Sequence, residues 1–282
     1  MTTHQGGSYG ALELGFRLDK GGRTILHHLY RRVPLIVQQA LYFDEQLPDM
    51  PCVYILSSGG PTLEGDRYSV QVELERGAMA HISTGAATLI TSMERGSAEQ
   101  RQSITLHEGS YLEWLPRPII PAAHSRYRSS AEIVVAPAAS LFWSEVVACG
   151  RLHSGECFDY DLLDLGATIR DTEGELLLCE RQILEPSRLA PSDYALLGSF
   201  THFSSAIIIT PKEVTDRLYK ALWPQTGEHL QISISRLSES RGLVVRGVAM
   251  GSEPLLRLSR ELCSMVRSEV KGVALPEEFP WR

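Results

Sequence analysis

The run Tyr68-Ser69-Val70-Gln71-Val72-Glu73-Leu74, closed by Glu75-Arg76-Gly77-Ala78, decides the fold class of this chain. Apolar and polar residues alternate through it, the period of a half-buried strand, and a glycine-bearing turn ends it. The design recurs. Ile104 and Leu106 precede His107-Glu108-Gly109-Ser110, Ile133 and Val135 precede Ala136-Pro137-Ala138-Ala139-Ser140, and Asp171-Thr172-Glu173-Gly174 makes a fourth turn. The turns return roughly every 30 to 35 residues, a period of stacked supersecondary units that bury their faces on one another. Each turn has the chemistry of a β-hairpin tip. Leu12, Leu14, Phe16 and Leu18 show the same alternation upstream. The expected fold is mainly β and built of stacked hairpins, with an ordinary β-sandwich as the alternative.

Helices are expected only late. One covers about 211–223, with Thr210 as N-cap, Pro211 in the first position and Val214, Leu218 and Leu222 on one face. Another covers about 252–271, capped by Ser252 and stopped by Gly272, with Leu255, Leu258, Leu262, Met265 and Val266 as its apolar stripe. Leu230 to Leu237 and Leu243 to Met250 read as a strand pair turning at Glu239-Ser240-Arg241-Gly242. No segment reads as a linker, so residues 1–282 are expected to form a single domain with a helical corner.

The chain has 282 residues, 43% hydrophobic and 22% charged, as in ordinary globular proteins. A net charge of −7 argues against long nucleic acid and anionic membrane as partners. Met1 to Gly10 lacks the apolar core of a signal peptide, and no apolar run is long enough to span a bilayer. A cytoplasmic location is expected. The cysteines, Cys52, Cys149, Cys157, Cys179 and Cys263, are odd in number and contain no CxxC, so neither a zinc site nor a disulfide framework is signalled.

Gly59-Gly60-Pro61-Thr62-Leu63-Glu64-Gly65-Asp66 has the glycine spacing of a phosphate loop. It lacks the lysine, and its Glu64 and Asp66 would repel phosphate while suiting a cation or a buried polar network. Its glycines, Gly59, Gly60 and Gly65, are expected to form a tight connection that displays Asp66. No Gly-x-Ser-x-Gly elbow or HExxH is present, and the isolated histidines are poor ligand candidates. Carboxylates are the better candidates. Glu145, in Leu141-Phe142-Trp143-Ser144-Glu145, falls on the buried side with Leu141 and Trp143, with Arg151 as the expected partner. Glu113 is flanked by Leu112 and Trp114 and should point inward or into an interface. Glu156 follows; Asp159, Asp161 and Asp164 read as a solvated acidic loop. Paired carboxylates would also suit a carbohydrate-active β-solenoid enzyme.

Five motifs in order resemble the UreD (UreH) family of urease accessory proteins. They are Pro34-Leu35-Ile36-Val37-Gln38, Gly59-Gly60 to Gly65-Asp66, Gly77 to Thr88, Leu112-Glu113-Trp114-Leu115-Pro116, and Glu145 with Gly150-Arg151, Gly155-Glu156 and Phe158. The likeness covers roughly Leu12 to Glu185 by motif and the rest by layout. Two positions depart from the pattern: Gly85 stands where the family has glutamine, and Glu180-Arg181 replaces its Asp-Arg.

The resemblance implies an elongated, β-helix-like fold with two helices in the C-terminal half, and a non-catalytic accessory protein. It implies partners: UreF, the GTPase UreG through UreF, and the urease apoprotein, in a hetero-oligomer. No cofactor is expected to bind tightly. Nickel would pass transiently along an internal polar channel, with inward carboxylates as loose ligands. Asp66 leads that set, followed by Glu64, Glu145 and Glu156. Gly59, Gly60, Gly65, Glu113, Arg151, Glu180 and Arg181 would be structural or channel-supporting, with Arg151 orienting Glu145 or Glu156. The helical C-terminal segment is the expected UreF-facing surface unless it merely closes the core.

Overall fold

The computed structural model describes residues 7–193, 196–238 and 241–276. Among these, one sheet comprises β1 (Tyr9–Leu18), β2 (Thr24–Arg32), β5 (Arg67–Leu74), β8 (Ala98–Leu106), β11 (Arg126–Val135), β13 (Leu162–Asp171) and β14 (Leu176–Leu184), in the order β14-β13-β11-β8-β5-β1-β2. The other contains β3 (Leu35–Ile36), β4 (Cys52–Ser57), β6 (Met79–Thr84), β9 (Tyr111–Trp114), β12 (Ser140–Ala148), β15 (His202–Ile209), β16 (Gln225–Thr226), β17 (Leu230–Arg236) and β18 (Gly242–Ala249). Its order is β16-β17-β18-β15-β12-β9-β6-β4-β3, and β7 (Thr88–Ile90) and β10 (Ile119–Pro121) pair beside it.

The central strands are parallel within each sheet. The chain passes from β5 to β6, β8 to β9 and β11 to β12, climbing one step each time. This is the stacked, β-solenoid-like arrangement that the turn period implies. The turns themselves differ from the expectation. The first three are arches between sheets rather than hairpin tips. Each closes with the same bond: Ala78 N–H to Glu75 O, Ser110 N–H to His107 O, and Ala139 N–H to Ala136 O, all at 3.0 Å. Gly77 (φ 72°) and Gly109 (φ 69°) stack in this bend with the left-handed backbone that glycine tolerates. Only Asp171-Thr172-Glu173-Gly174 joins antiparallel neighbours, β13 and β14. A four-residue turn sets the bend but not the rotation of the next strand, so hairpin and arch share one sequence signal.

Stacking aligns side chains into ladders. Phe16, Leu74, Leu106 and Val135 are in register, as are Leu14, Val72, Ile104, Ile133 and Ile169. All are buried between the sheets. The second sheet is covered on its other face by α1 (Lys212–Ala221) and α2 (Ser252–Lys271). That double burial explains the nearly unbroken burial of β12 and β15. The helices begin within a residue of expectation, with Pro211 and Gly251 in the cap positions, and Gly272 (φ 75°) ends α2. β17 and β18 form the expected antiparallel pair; Glu239 and Ser240 of the predicted turn lie outside the described residues. No helix among the described residues is long and apolar enough to cross a membrane.

Ile133→Ala, in the middle of an apolar ladder, should cost about 2–5 kcal/mol in a denaturant titration. Glu132→Ala, on the outward face, should change stability by less than about 0.5 kcal/mol. Equal losses at the two positions would contradict the ladder assignment.

Candidate functional site

The interior turns polar along the strands. Near the arches the ladders are apolar; further on, Gln102 joins Val70 and Ala131, and the next layer places Tyr68, Gln100 and Ser129 side by side. Tyr68, Val70, Gln100, Gln102 and Ser129, with Tyr127 of β11, Trp114 of β9 and Glu145 of β12, line a cavity of about 360 Å³ between the sheets. Tyr127 Oη donates to Gln100 Oε1 at 3.2 Å, and Gln102 Nε2 donates to Ser129 Oγ at 3.4 Å. Trp114 stacks on Trp143 with centroids 4.9 Å apart and planes 8° apart, at the boundary with the apolar core.

Glu145 is the distinctive group. Alternation along β12 sends Leu141, Trp143 and Glu145 inward, as the pattern implies, while Phe142 and Ser144 face the helices. Its carboxylate has no hydrogen-bond or ion-pair partner among the described residues, and its partial exposure is to the cavity. Burial, and secondarily the charge of Glu180, push its pKa up to about 7. Glu180, in contrast, is braced by Arg246 Nη2 (2.6 Å), Ser205 Oγ (3.3 Å) and Gln182 Nε2 (3.4 Å). The expected Glu145–Arg151 pair does not form. Arg151 makes a forked contact to Glu156 instead, because the loop after β12 turns back on itself and leaves Glu145 behind inside the sheets.

The remaining predicted residues lie apart. Asp66 is not displayed; it is 2% exposed and bonded at both oxygens. Oδ1 accepts Ser8 N–H at 2.7 Å, and Oδ2 accepts Leu63 N–H at 2.8 Å and Tyr68 Oη–H at 2.7 Å. The glycine loop thus folds inward over its own carboxylate, with Gly60 and Gly65 at positive φ and Gly60 on the cavity rim beside Pro61 and Thr62. Gly59 packs near Pro34. Glu64 accepts the backbone N–H groups of Glu94 (2.8 Å), Arg95 (3.2 Å) and Gly96 (2.5 Å), and those bonds lower its pKa. Glu156 also accepts Ala123 N–H at 3.0 Å, and the bond from Arg151 lowers its pKa. Arg181 is bidentate to Asp164 at 2.8 Å on both arms. Asp164 therefore belongs to β13 and is buried between arginines, not to a solvated acidic loop. Among the described residues, no three His, Cys, Asp or Glu side chains converge as a metal-holding group.

Residues 8–282 match the family model described as UreD urease accessory protein. The chain belongs to this family. It is 42% identical over 282 residues to "Urease accessory protein UreD 2" of Brucella suis biovar 1 (strain 1330), covering 98% of this chain and 93% of that protein. It is 38% identical over 281 residues to "Urease accessory protein UreD 3" of Methylorubrum populi, covering 98% and 90%. It is 36% identical over 286 residues to "Urease accessory protein UreD" of Photorhabdus laumondii subsp. laumondii, covering 100% and 89%.

In this UreD-family chain Glu113 has the opposite environment to Glu145. It points to the helical side of β9 and is fully buried. Arg267 of α2 reaches its two oxygens at 2.7 and 2.6 Å, Tyr111 Oη donates at 2.6 Å, and His81 Nδ1 lies at 2.7 Å. Arg267 also contacts Asp44, whose other oxygen accepts Gln46 and Leu47 N–H. Burial alone would raise the pKa of Glu113, but the bonds from Arg267 and His81 and their charges outweigh it and hold the group at about 2. Sequence reasoning singled out Glu113 but missed Arg267. A signal existed: Leu255, Ser259, Cys263 and Arg267 are spaced by four along the buried stripe of α2. Gln100 and Gln102 were missed because uncharged polar residues inside a strand pattern look like its outward positions, and Tyr68 was read only as part of an apolar face.

Arg267→Ala should cost about 3–5 kcal/mol, because it strands two buried carboxylates. Adding Glu113→Gln should recover part of that loss, and a double-mutant cycle in urea measures the coupling. Glu145 titrates oppositely. Its folded pKa of about 7 exceeds the usual 4.5, so its stabilising contribution is complete below about pH 4.5 and lost as pH rises through 7. Glu145→Gln should flatten that limb and stabilise the protein at pH 8 by on the order of 2 kcal/mol. An unchanged pH–stability curve would show that Glu145 has an ordinary pKa.

Proposed function

We propose that this chain is a non-catalytic, cytoplasmic accessory protein of urease maturation, which docks a UreF–UreG complex on urease apoprotein and helps nickel reach the urease active site through its interior. Family membership supports the maturation role: the relatives' names make them accessory to urease. One observation carries the transit role. Glu145 is a carboxylate with no hydrogen-bond or ion-pair partner among the described residues; it faces a cavity of mixed polar and apolar lining, and its proton affinity lies near neutrality.

A cation in transit must be held and then released. A carboxylate locked by an arginine cannot bind it, and a closed ligand set would trap it. Glu145 avoids both. Above about pH 7 it offers a charged oxygen ligand; proton uptake competes with the metal and favours release. The side-chain carbonyl oxygens of Gln100 and Gln102 and the Tyr127 hydroxyl supply further neutral oxygen ligands around the cavity. Glu180 extends the acidic interior beyond Glu145. Asp66, Glu64 and Glu156 hold their loops, and their bonds would have to break before any of them met a metal.

The test is urease activation from apoprotein, Ni²⁺, UreF and UreG, with and without this chain. Activation should depend on the chain. Glu145→Ala should lower it several-fold while complex assembly on a sizing column stays normal, and Asp66→Ala should act through reduced stability of the chain. Full activation by Glu145→Ala would remove the transit role of this residue and leave the docking role standing.

A further inference from the structure

Cys149 and Cys157 meet at the neck of the loop that follows β12. Phe158 N–H donates to Cys149 O at 2.7 Å, which brings the two ends of the loop together. The approach is so close that a Cβ on Gly150 would lie 2.9 Å from the Glu156 carbonyl oxygen. Gly155 (φ 81°) and Phe158 (φ 61°) take left-handed backbone on the return path. Cys157 N–H is pinned by Asp159 Oδ2 at 2.9 Å, and Arg151 grips Glu156 across the loop. The Phe158–Cys149 backbone bond sets Cys157 beside Cys149, and the neighbouring thiol, after burial, raises the pKa of Cys149. Cys149 is buried and Cys157 is half-buried, so one sulfur is shielded and its neighbour is open to reagents.

We propose that Cys149 and Cys157 are a redox pair, a dithiol that an organic disulfide of the glutathione class converts to an intrachain disulfide. The chemistry balances in two exchanges. The Cys157 thiolate attacks one sulfur of the reagent; the reagent S–S bond breaks, a mixed disulfide forms, and one reagent thiolate leaves and takes up a proton. Cys149 gives its proton to solvent and attacks Cys157 Sγ, which forms the protein disulfide and expels the second reagent thiolate. The cysteines lose two electrons and two protons, and the reagent becomes two thiols. The neck needs little backbone movement, because the loop ends are already hydrogen-bonded. Burial favours the proton on Cys149, which makes the second exchange the slow one.

The sequence supplies a direct readout. Arg151 lies between the two cysteines, so trypsin separates 129–151 from 152–170, and only a disulfide keeps those peptides together. The full-length chain is equilibrated with glutathione and glutathione disulfide at several ratios, alkylated in denaturant, digested without reductant and analysed by mass spectrometry. The linked peptide pair should rise with the disulfide fraction, weigh two hydrogens less than its reduced parts, run in the monomer band of a non-reducing gel, and vanish on reduction. It should be missing from Cys157→Ser. Cys157 carrying only glutathione, with Cys149 alkylated at every ratio, would overturn the proposal; so would linked peptides confined to a dimer band. The wild-type chain decides the matter even if the variant folds poorly.

Discussion

The buried contact of Arg267 with Glu113 and Asp44 is the constraint on which the rest of the structure depends. It joins three segments far apart in sequence: the loop before β4, the middle of the solenoid, and the last helix. It also fixes which way β9 faces. Tyr111 and Glu113 meet the helix, so Leu112 and Trp114 must face the other sheet. A slip of one residue would drive Glu113 against the indole stack and an indole into the ion cluster. Charges buried this deeply contribute little net stability over well-packed apolar groups. Their value here is selectivity among packings, because a wrong register leaves them unpaired.

Two glutamates on neighbouring strands of the same sheet show what partners decide. Glu113 and Glu145 are both enclosed by protein, and burial raises the pKa of each. Glu113 meets a guanidinium and an imidazole and stays ionised to about pH 2. Glu145 meets a cavity and another carboxylate and holds its proton to about pH 7. The sheet thus separates a fixed ionic joint on one face from an exchangeable acid on the other. An arginine-locked carboxylate and an unlocked one can occur in one strand pattern with no difference in local sequence.

Sequence reasoning reached the repeat, the β-rich class, the two helices and the inward position of Glu145, since each rests on periodicity or caps. It misjudged what rests on long-range geometry. The turns at Gly77 and Gly109 carry the signal of a hairpin, and only the neighbouring coil makes them arches. By sequence Arg151 could orient Glu145 or Glu156, and only the end of β12 between residues 145 and 151 decides for Glu156. Asp66 looked displayed because the loop is rich in glycine, but those glycines let it close over the carboxylate. Asp164 read as part of an acidic loop because Arg128 and Arg181, which shield it, come from two other strands.

In both sheets the parallel stack is flanked by antiparallel strands. β2 and β14 bound one, and β3 and the β15–β18 group bound the other. A parallel coil propagates by offering each newcomer the same edge; here the strand that adjoins each end of the stack runs the opposite way. The stack therefore has a built-in terminator at each end. A further coil cannot be added directly to the parallel strands at either end. The number of coils between the terminators, and with it the length of the interior, becomes a quantity that insertion or deletion of a whole coil can change without rewriting the ends.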